Sequence, residues 1–139
     1  KMPPDLSLIS RVRGSDWIYT YLKSFYLDET RPLGWNNKLF PNASMPNPLW
    51  QLQGVQHAEF SEPDATGERH VEALKVTQPG RLNAVEFDQA ARDITNFLEY
   101  AGEPAALKRQ SMGVWVILFL AVLTFLFYLL KQEYWKDVR

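Results

Sequence analysis

The chain has 139 residues, a formal net charge of −1 and no cysteine. A near-neutral balance without a basic run excludes a nucleic-acid-binding module, so no nucleic acid is expected as a partner. The missing thiol excludes disulfides, zinc–thiolate sites and a cysteine nucleophile within these residues. With 14% aromatic residues, 7 glycines and 9 prolines, the composition fits a loop-rich compact domain plus an anchor rather than a disordered tail.

Pro3-Pro4 forces an extended entry. Asp5 is expected to cap a short helix over residues 6–13, and Gly14 to stop it. Ser15 or Asp16 then caps a second helix over residues 16–27, in which Trp17, Tyr21 and Phe25, flanked by Ile18 and Leu22, recur at helical spacing. That aromatic stripe reads first as a packed core face, with a wall around a flat cofactor as the alternative. Residues 29–50 break both periodicities with four prolines, four asparagines and a glycine, so an irregular segment is expected. Trp35, Leu39, Phe40, Met45 and Trp50 within it are too apolar for a solvated linker. The triplet Asn42-Ala43-Ser44 matches a glycosylation sequon, which recurs by chance and carries little weight.

Residues 51–82 read as a small β insertion, with strands over 51–60 and 70–76 separated by SEPDATGER and followed by a type II turn at 78–81. His57 and His70 fall there without a cluster of carboxylates, so both read as surface residues. Asn83 to Glu86 forms a capping box opening a helix whose inner face is Phe87, Ala91, Ile94, Leu98 and Ala101. Gly102 ends it and Pro104 prevents its continuation.

After a linker at 108–112, residues 113–130 run GVWVILFLAVLTFLFYLL without a charge or a proline. A helix of that length is about 27 Å long, close to a bilayer's hydrocarbon core. Apolar residues face every direction, unlike the striped helix of a soluble core. Lys131, Lys136 and Arg139 follow the span and Lys108 and Arg109 precede it. That thin bias puts the tail at 131–139 in the cytoplasm and the domain at 1–107 outside it.

No GxSxG, HExxH, glycine-rich phosphate loop or DxDxDG calcium loop occurs, which makes hydrolytic and phosphoryl-transfer chemistry poor readings. The unusual feature is Met45-Pro46 in the proline-rich segment. A thioether is a soft ligand that suits haem iron or copper(I), although a single methionine is ordinarily a core filler.

The runs PPDLSLISRVR, DWIYTYL, FPNASMP, AARDITNFLEYAGEP and KRQSMG, followed by the anchor, resemble cytochrome c1, the haem-bearing subunit of the cytochrome bc complex. The ending YLLKQEYWKDVR is similar to that of proteobacterial members. The resemblance covers essentially the whole chain. It implies a mainly α, class I cytochrome c-like domain with a small β insertion and one C-terminal transmembrane helix. It also implies haem c as cofactor, with Met45 as the sixth iron ligand and Pro46 helping to fix its loop. By the same resemblance Pro3, Pro4 and Leu6 line the haem pocket, Trp17 packs near the haem, and Arg13 pairs with a propionate. Read by itself, Arg13 is a solvated cation at a helix end.

The implied activity is that of a redox subunit of ubiquinol–cytochrome c oxidoreductase. Electrons would pass from the Rieske iron–sulfur protein through the haem to a cytochrome c. Cytochrome b, membrane lipid and a dimeric complex are the further implied partners. The implied location is the bacterial inner membrane, with the haem domain in the periplasm. One departure stands out: the family attaches haem through Cys-x-x-Cys-His, and this chain has no cysteine. Neither His57 nor His70 has that motif around it. The expectation is the C-terminal part of a longer subunit, with the attachment region upstream of Lys1. The alternative is a haem-free single-span structural or assembly subunit.

Overall fold

The computed structural model describes residues 3–63 and 69–137. They form two compact units, Lys1–Gly102 and Glu103–Arg139, each described by itself.

The first unit opens on a turn rather than a capped helix. The Asp5 carboxylate accepts hydrogen bonds from the Ser7 N–H at 2.9 Å and the Ser7 hydroxyl at 2.7 Å. It is therefore spent on a local Asx turn, and α1 begins only at Ile9 and ends at Arg13. Gly14 joins α1 to α2 (Ser15–Lys23) with φ 87° and ψ 154°, ending the one helix and capping the other. Neither Ser15 nor Asp16 caps α2. Ser15 lies in its first turn and donates its hydroxyl to Glu99 at 2.9 Å.

The second helix is shorter than its periodicity predicts. It stops at Lys23, where the Ser24 N–H bonds Tyr21 O at 3.2 Å and the Ser24 hydroxyl bonds Thr20 O at 2.5 Å. Phe25–Leu27 instead form β1, antiparallel to β2 (Trp35–Asn37) with Phe25 opposite Asn37. These bulky residues suit a half-buried strand as well as a helix, and a distant strand partner decides between the two.

Apart from β2, residues 29–49 are turns, bends and irregular backbone, in keeping with their prolines. A single helical turn, α3 (Trp50–Gln53), takes up the start of the expected first strand. The hairpin then pairs β3 (Gly54–Phe60) antiparallel with β4 (Val71–Pro79). Part of the SEPDATGER connection, residues 64–68, lies outside the described residues.

The expected type II turn at 78–81 does not form. That turn needs a positive φ at its third residue, and among the described residues the glycines with positive φ are Gly14, Gly34 and Gly54, not Gly80. Pro79 stays in β4 opposite Gly54, and the Arg81 and Leu82 N–H groups bond Gln51 O at 2.9 Å and Leu52 O at 3.1 Å. Glycine is needed at position 80 for closeness, because a Cβ there would lie 2.3 Å from Leu52 O and 2.5 Å from Gly54 N.

Helix α4 (Ala84–Gly102) follows its sequence signals. Asn83 Oδ1 accepts from the Val85 and Glu86 N–H groups at 3.0 and 2.9 Å, and Glu86 returns a carboxylate oxygen to Asn83 N–H at 3.0 Å. This is a reciprocal capping box. Its buried face, Phe87, Ala91 and Thr95, belongs to the same core as Ile18, Leu22, Phe25 and Tyr26.

The second unit is dominated by α5 (Ala106–Trp135), 30 residues long. At about 45 Å it exceeds a hydrocarbon core of about 30 Å, and it is long and apolar enough to cross a membrane. Residues 108–112, read from sequence as a linker, are helical and continuous with the span. The Thr124 hydroxyl bonds Leu120 O at 2.7 Å, so its polar group is satisfied within the helix rather than left in an apolar surrounding. Beyond the span, Gln132 bonds the Tyr128 hydroxyl and Lys131 lies over Trp135, the amphipathic chemistry of a membrane interface.

Candidate functional site

Helix α2 presents two faces. Ile18 and Leu22 are buried in the core, while Trp17 and Tyr21 remain half-buried on the other side. Trp17 stacks on Tyr21 with centroids 4.8 Å apart and planes at 11°, and Tyr21 meets Phe25 edge-on at 4.9 Å. Burial pushes the Tyr21 hydroxyl up, so that it stays neutral. The stripe thus divides between the two roles its sequence allows: Phe25 closes the core, and Trp17 with Tyr21 forms an accessible aromatic wall.

Phe40, from the segment after β2, meets Trp17 edge-on at 6.3 Å. The Arg13 guanidinium, at the end of α1, lies 5.0 Å from the Trp17 ring centroid and 5.6 Å from that of Phe40. Ring faces attract such a cation. Arg13 is exposed and makes no ion pair among the described residues. It is a solvated helix-end cation, as its sequence position allows, but one held in place by two rings.

Met45 lies in the loop between β2 and α3 and is 39% exposed. The loop contains Pro41, Pro46 and Pro48, which supply no N–H donors. Its hydrogen bonds go to side-chain amides instead. Asn37 Oδ1 accepts from the Leu39 and Phe40 N–H groups at 2.9 and 3.1 Å, and Asn36 Oδ1 accepts from Asn42 N–H at 2.9 Å. Asn47 Oδ1 accepts from Leu49 N–H at 2.9 Å. Arg31 Nη2 bonds the carbonyl of Asn42, a residue held at φ 64°.

Of the residues singled out from sequence, the structure brings Arg13 and Trp17 together. Pro3, Pro4, Leu6, Met45 and Pro46 are exposed, with no hydrogen bond or ring contact to that pair. Two groups were noted in the sequence but not assigned to the site. Phe40 joins the aromatic cluster, and its place beside Pro41 in the irregular segment was the available signal. The asparagines hold the loop, and their density in a segment unable to bond itself was theirs.

Chemically, the loop offers a soft sulfur on an exposed residue, and the junction of α1 and α2 offers an aromatic wall with a cation on it. Among the described residues no three of histidine, aspartate or glutamate gather to hold a metal ion. Away from this face, Asp88 on α4 accepts from Tyr19 and Lys23 of α2 and from Arg92 at 2.8 Å. Those bonds, Lys23's first, hold its carboxyl far below the usual carboxylate range. Burial works against the charge on Lys23, but the bonds to Asp88 and Tyr19 outweigh it and push its pKa up. This cluster fastens α2 to α4 behind the wall.

The family profile described as the Cytochrome C1 family matches residues 80–138. Over 139 residues the chain is 55% identical to the cytochrome c1 of Allochromatium vinosum, covering 99% of this chain and 57% of that protein. It is 44% identical over 137 residues to a protein of Nitrosomonas europaea named ammonia monooxygenase gamma subunit, covering 99% of this chain and 55% of that protein. Against the cytochrome c1 of Rhodospirillum rubrum the identity is 31% over 150 residues, covering 99% of this chain and 51% of that protein. The chain spans about half the length of the curated relatives it matches. With the profile on the last helices and cytochrome c1 relatives aligned along 99% of its length, the chain belongs to the cytochrome c1 family.

Proposed function

We propose that this chain provides part of the haem-binding face and the membrane anchor of an electron-transfer subunit of the cytochrome bc complex. The observation that carries the reading is Met45: a soft sulfur at the surface of a proline-rich loop tied down by buried amides, in a chain of this family. The residue types suit one side of a haem: a soft sulfur, apolar and aromatic side chains, and a cation. Met45 would ligate the iron, with Pro46 restricting the loop beside it. Trp17, with Pro3, Pro4 and Leu6 from the stretch before α1, would keep water from the macrocycle. Arg13, propped on Trp17 and Phe40, would meet a propionate.

Haem c, when bound, supplies a one-electron iron couple, and a methionine axial ligand raises its potential. The residues of this chain contribute position, low polarity and a fixed cation. No proton donor or covalent nucleophile is required of them. Covalent attachment needs thiols, and these 139 residues have none, so attachment would fall to residues outside them. In the same reading α5 packs beside cytochrome b and holds the first unit on the periplasmic side of a bacterial inner membrane. The subunit would receive electrons from the Rieske iron–sulfur protein and deliver them to a cytochrome c, within a dimeric complex. The test is Met45→Ala in the full-length, haem-loaded subunit. The haem potential is expected to fall sharply, and an unchanged potential would remove the ligand assignment.

A second reading is favoured by the 44% identity to the protein named ammonia monooxygenase gamma subunit. In it the chain is a single-span subunit of a membrane oxygenase or an assembly component without haem. Haem staining of the polypeptide, with a reduced-minus-oxidised spectrum of the purified complex, separates the two. A stained band carrying a c-type spectrum excludes the haem-free reading.

A further inference from the structure

We infer that Asn37 and Asn47, with Gln53, are positioning residues for the Met45 sulfur, because they tie its loop to the last turn of α2. The inference rests on the proposed role of Met45 as an axial ligand. It concerns residues that touch neither cofactor nor substrate.

The loop cannot hold itself. Its prolines interrupt any ladder, and residues 43–46 make no hydrogen bond among the described residues. Pins on either side therefore fix the position of Met45. Before it, the fully buried Asn37 gathers the N–H groups of Leu39 and Phe40 on its oxygen and donates its Nδ2 to Tyr21 O at 2.8 Å. After it, Asn47, 3% exposed, gathers Leu49 N–H and donates its Nδ2 to Gln53 Oε1 at 3.1 Å. Gln53 passes the link on through its Nε2 to Lys23 O at 3.2 Å.

Both links end on carbonyls of the last turn of α2. A helix leaves its last four carbonyls without intrahelical partners, normally to water. Here buried amides take that place. The same turn carries Tyr21, whose ring stacks on Trp17. The aromatic wall and the Met45 loop are therefore built on one frame, and the sulfur is placed relative to the wall by two short chains of hydrogen bonds.

A neighbouring residue supplies the control. Gln56 is as buried as the others and donates to Lys23 O at 3.0 Å and Phe25 O at 2.8 Å. It lies on β3 and bonds no residue of the loop. Removing it costs the fold a similar interaction without releasing Met45.

The experiment compares Asn37→Leu, Asn47→Leu, Gln53→Leu and Gln56→Leu in the full-length haem-loaded subunit in its complex, with Met45→Ala as reference. The readouts are the methionine-to-iron charge-transfer band, the midpoint potential and the affinity for added cyanide, which competes for the axial position. Loss of a pin is expected to weaken the band and raise cyanide affinity by about tenfold, the equivalent of one net hydrogen bond. Gln56→Leu is expected to lower the melting temperature and leave band, potential and affinity unchanged. Should Asn37→Leu fail to assemble, Gln53→Leu decides, since it leaves the loop's own residues intact. The inference is overturned if Gln53→Leu matches Gln56→Leu, or if every variant shifts the readouts alike. If Met45→Ala itself leaves band and potential unchanged, the axial-ligand reading fails first.

Discussion

Gly14 is the point at which the proposed face is most exposed to a single substitution. Its φ of 87° and ψ of 154° lie in a region that essentially only glycine enters. A Cβ added there would meet nothing within 4 Å. The cost of Gly14→Ala is therefore purely conformational, about 1–3 kcal/mol, reduced by about 0.4–1 kcal/mol because alanine also restricts the unfolded chain. A net loss of about 1–2 kcal/mol shifts the folded-to-unfolded ratio by roughly 5–30-fold. For a unit of this size it lowers Tm by about 4–8 °C per kcal/mol. Gly54 supplies the comparison. Its backbone is in the same region, at φ 95° and ψ −174°, but a Cβ would stand 2.1 Å from Gln78 O and 2.6 Å from Gly80 N. Those are backbone atoms of β4 and the residue after it, so Gly54→Ala must also part the hairpin at its first pair. Urea unfolding of the full chain in detergent micelles, followed by near-ultraviolet circular dichroism of the aromatic cluster, reads both. The expected order of stability is wild type, then Gly14→Ala, then Gly54→Ala. Equal stability of wild type and Gly14→Ala would refute the reasoning, because it would mean that the junction of α1 and α2 does not require this backbone.

Two further outcomes follow from side chains that tie down α4. Asn83→Ala removes the acceptor of two N–H groups at the start of the helix and should cost about 1 kcal/mol, with Asn83→Asp close to wild type. A denaturation midpoint unchanged in Asn83→Ala would show the cap to be idle. Asp88→Asn should make stability less dependent on acid. The folded carboxyl has a lowered pKa, so its contribution is complete above the unfolded aspartate value of about 3.9 and is lost as pH falls below that toward the folded value. The gap between wild type and Asp88→Asn is therefore widest near neutrality and narrows below about pH 4. A gap that stayed constant through that range would contradict the assignment.

How much of this was legible in the sequence depended on where each signal's partner lies. The signals of α4 are local: Asn83 and Glu86 cap each other, Phe87 and Ala91 recur at helical spacing, and Gly102 ends the run. The helix is accordingly found where they place it. The end of α2 was not legible, because Phe25 to Leu27 continue a helical period and are turned into strand by Trp35–Asn37, a partner beyond a local window. Pro79-Gly80 misled for a different reason. The pair is the signature of a turn, yet glycine there answers to the nearness of Leu52 O and not to a positive φ. Of the candidate site, the soft sulfur beside a proline could be read from residue types alone. What holds it could not, since asparagines in an irregular segment look like loop composition until Tyr21 O is seen to receive the Asn37 amide and Gln53, itself bonded to Lys23 O, that of Asn47.

Residue magnitudes also reorder what shapes the Met45 loop. Pro46, the neighbour that sequence resemblance puts forward, is exposed. Its restriction of the unfolded chain is worth about 0.4–1 kcal/mol. Asn37 is fully buried, and its amide engages both N–H groups and a carbonyl. Losing it removes three part-buried hydrogen bonds, at about 0.5–1.5 kcal/mol for each. The larger share of the loop's rigidity therefore comes from residues that never reach its surface. This division suits an exposed ligand: the prolines keep the segment out of helix and sheet so that Met45 can face outward, and the amides replace the hydrogen bonds that the prolines take away.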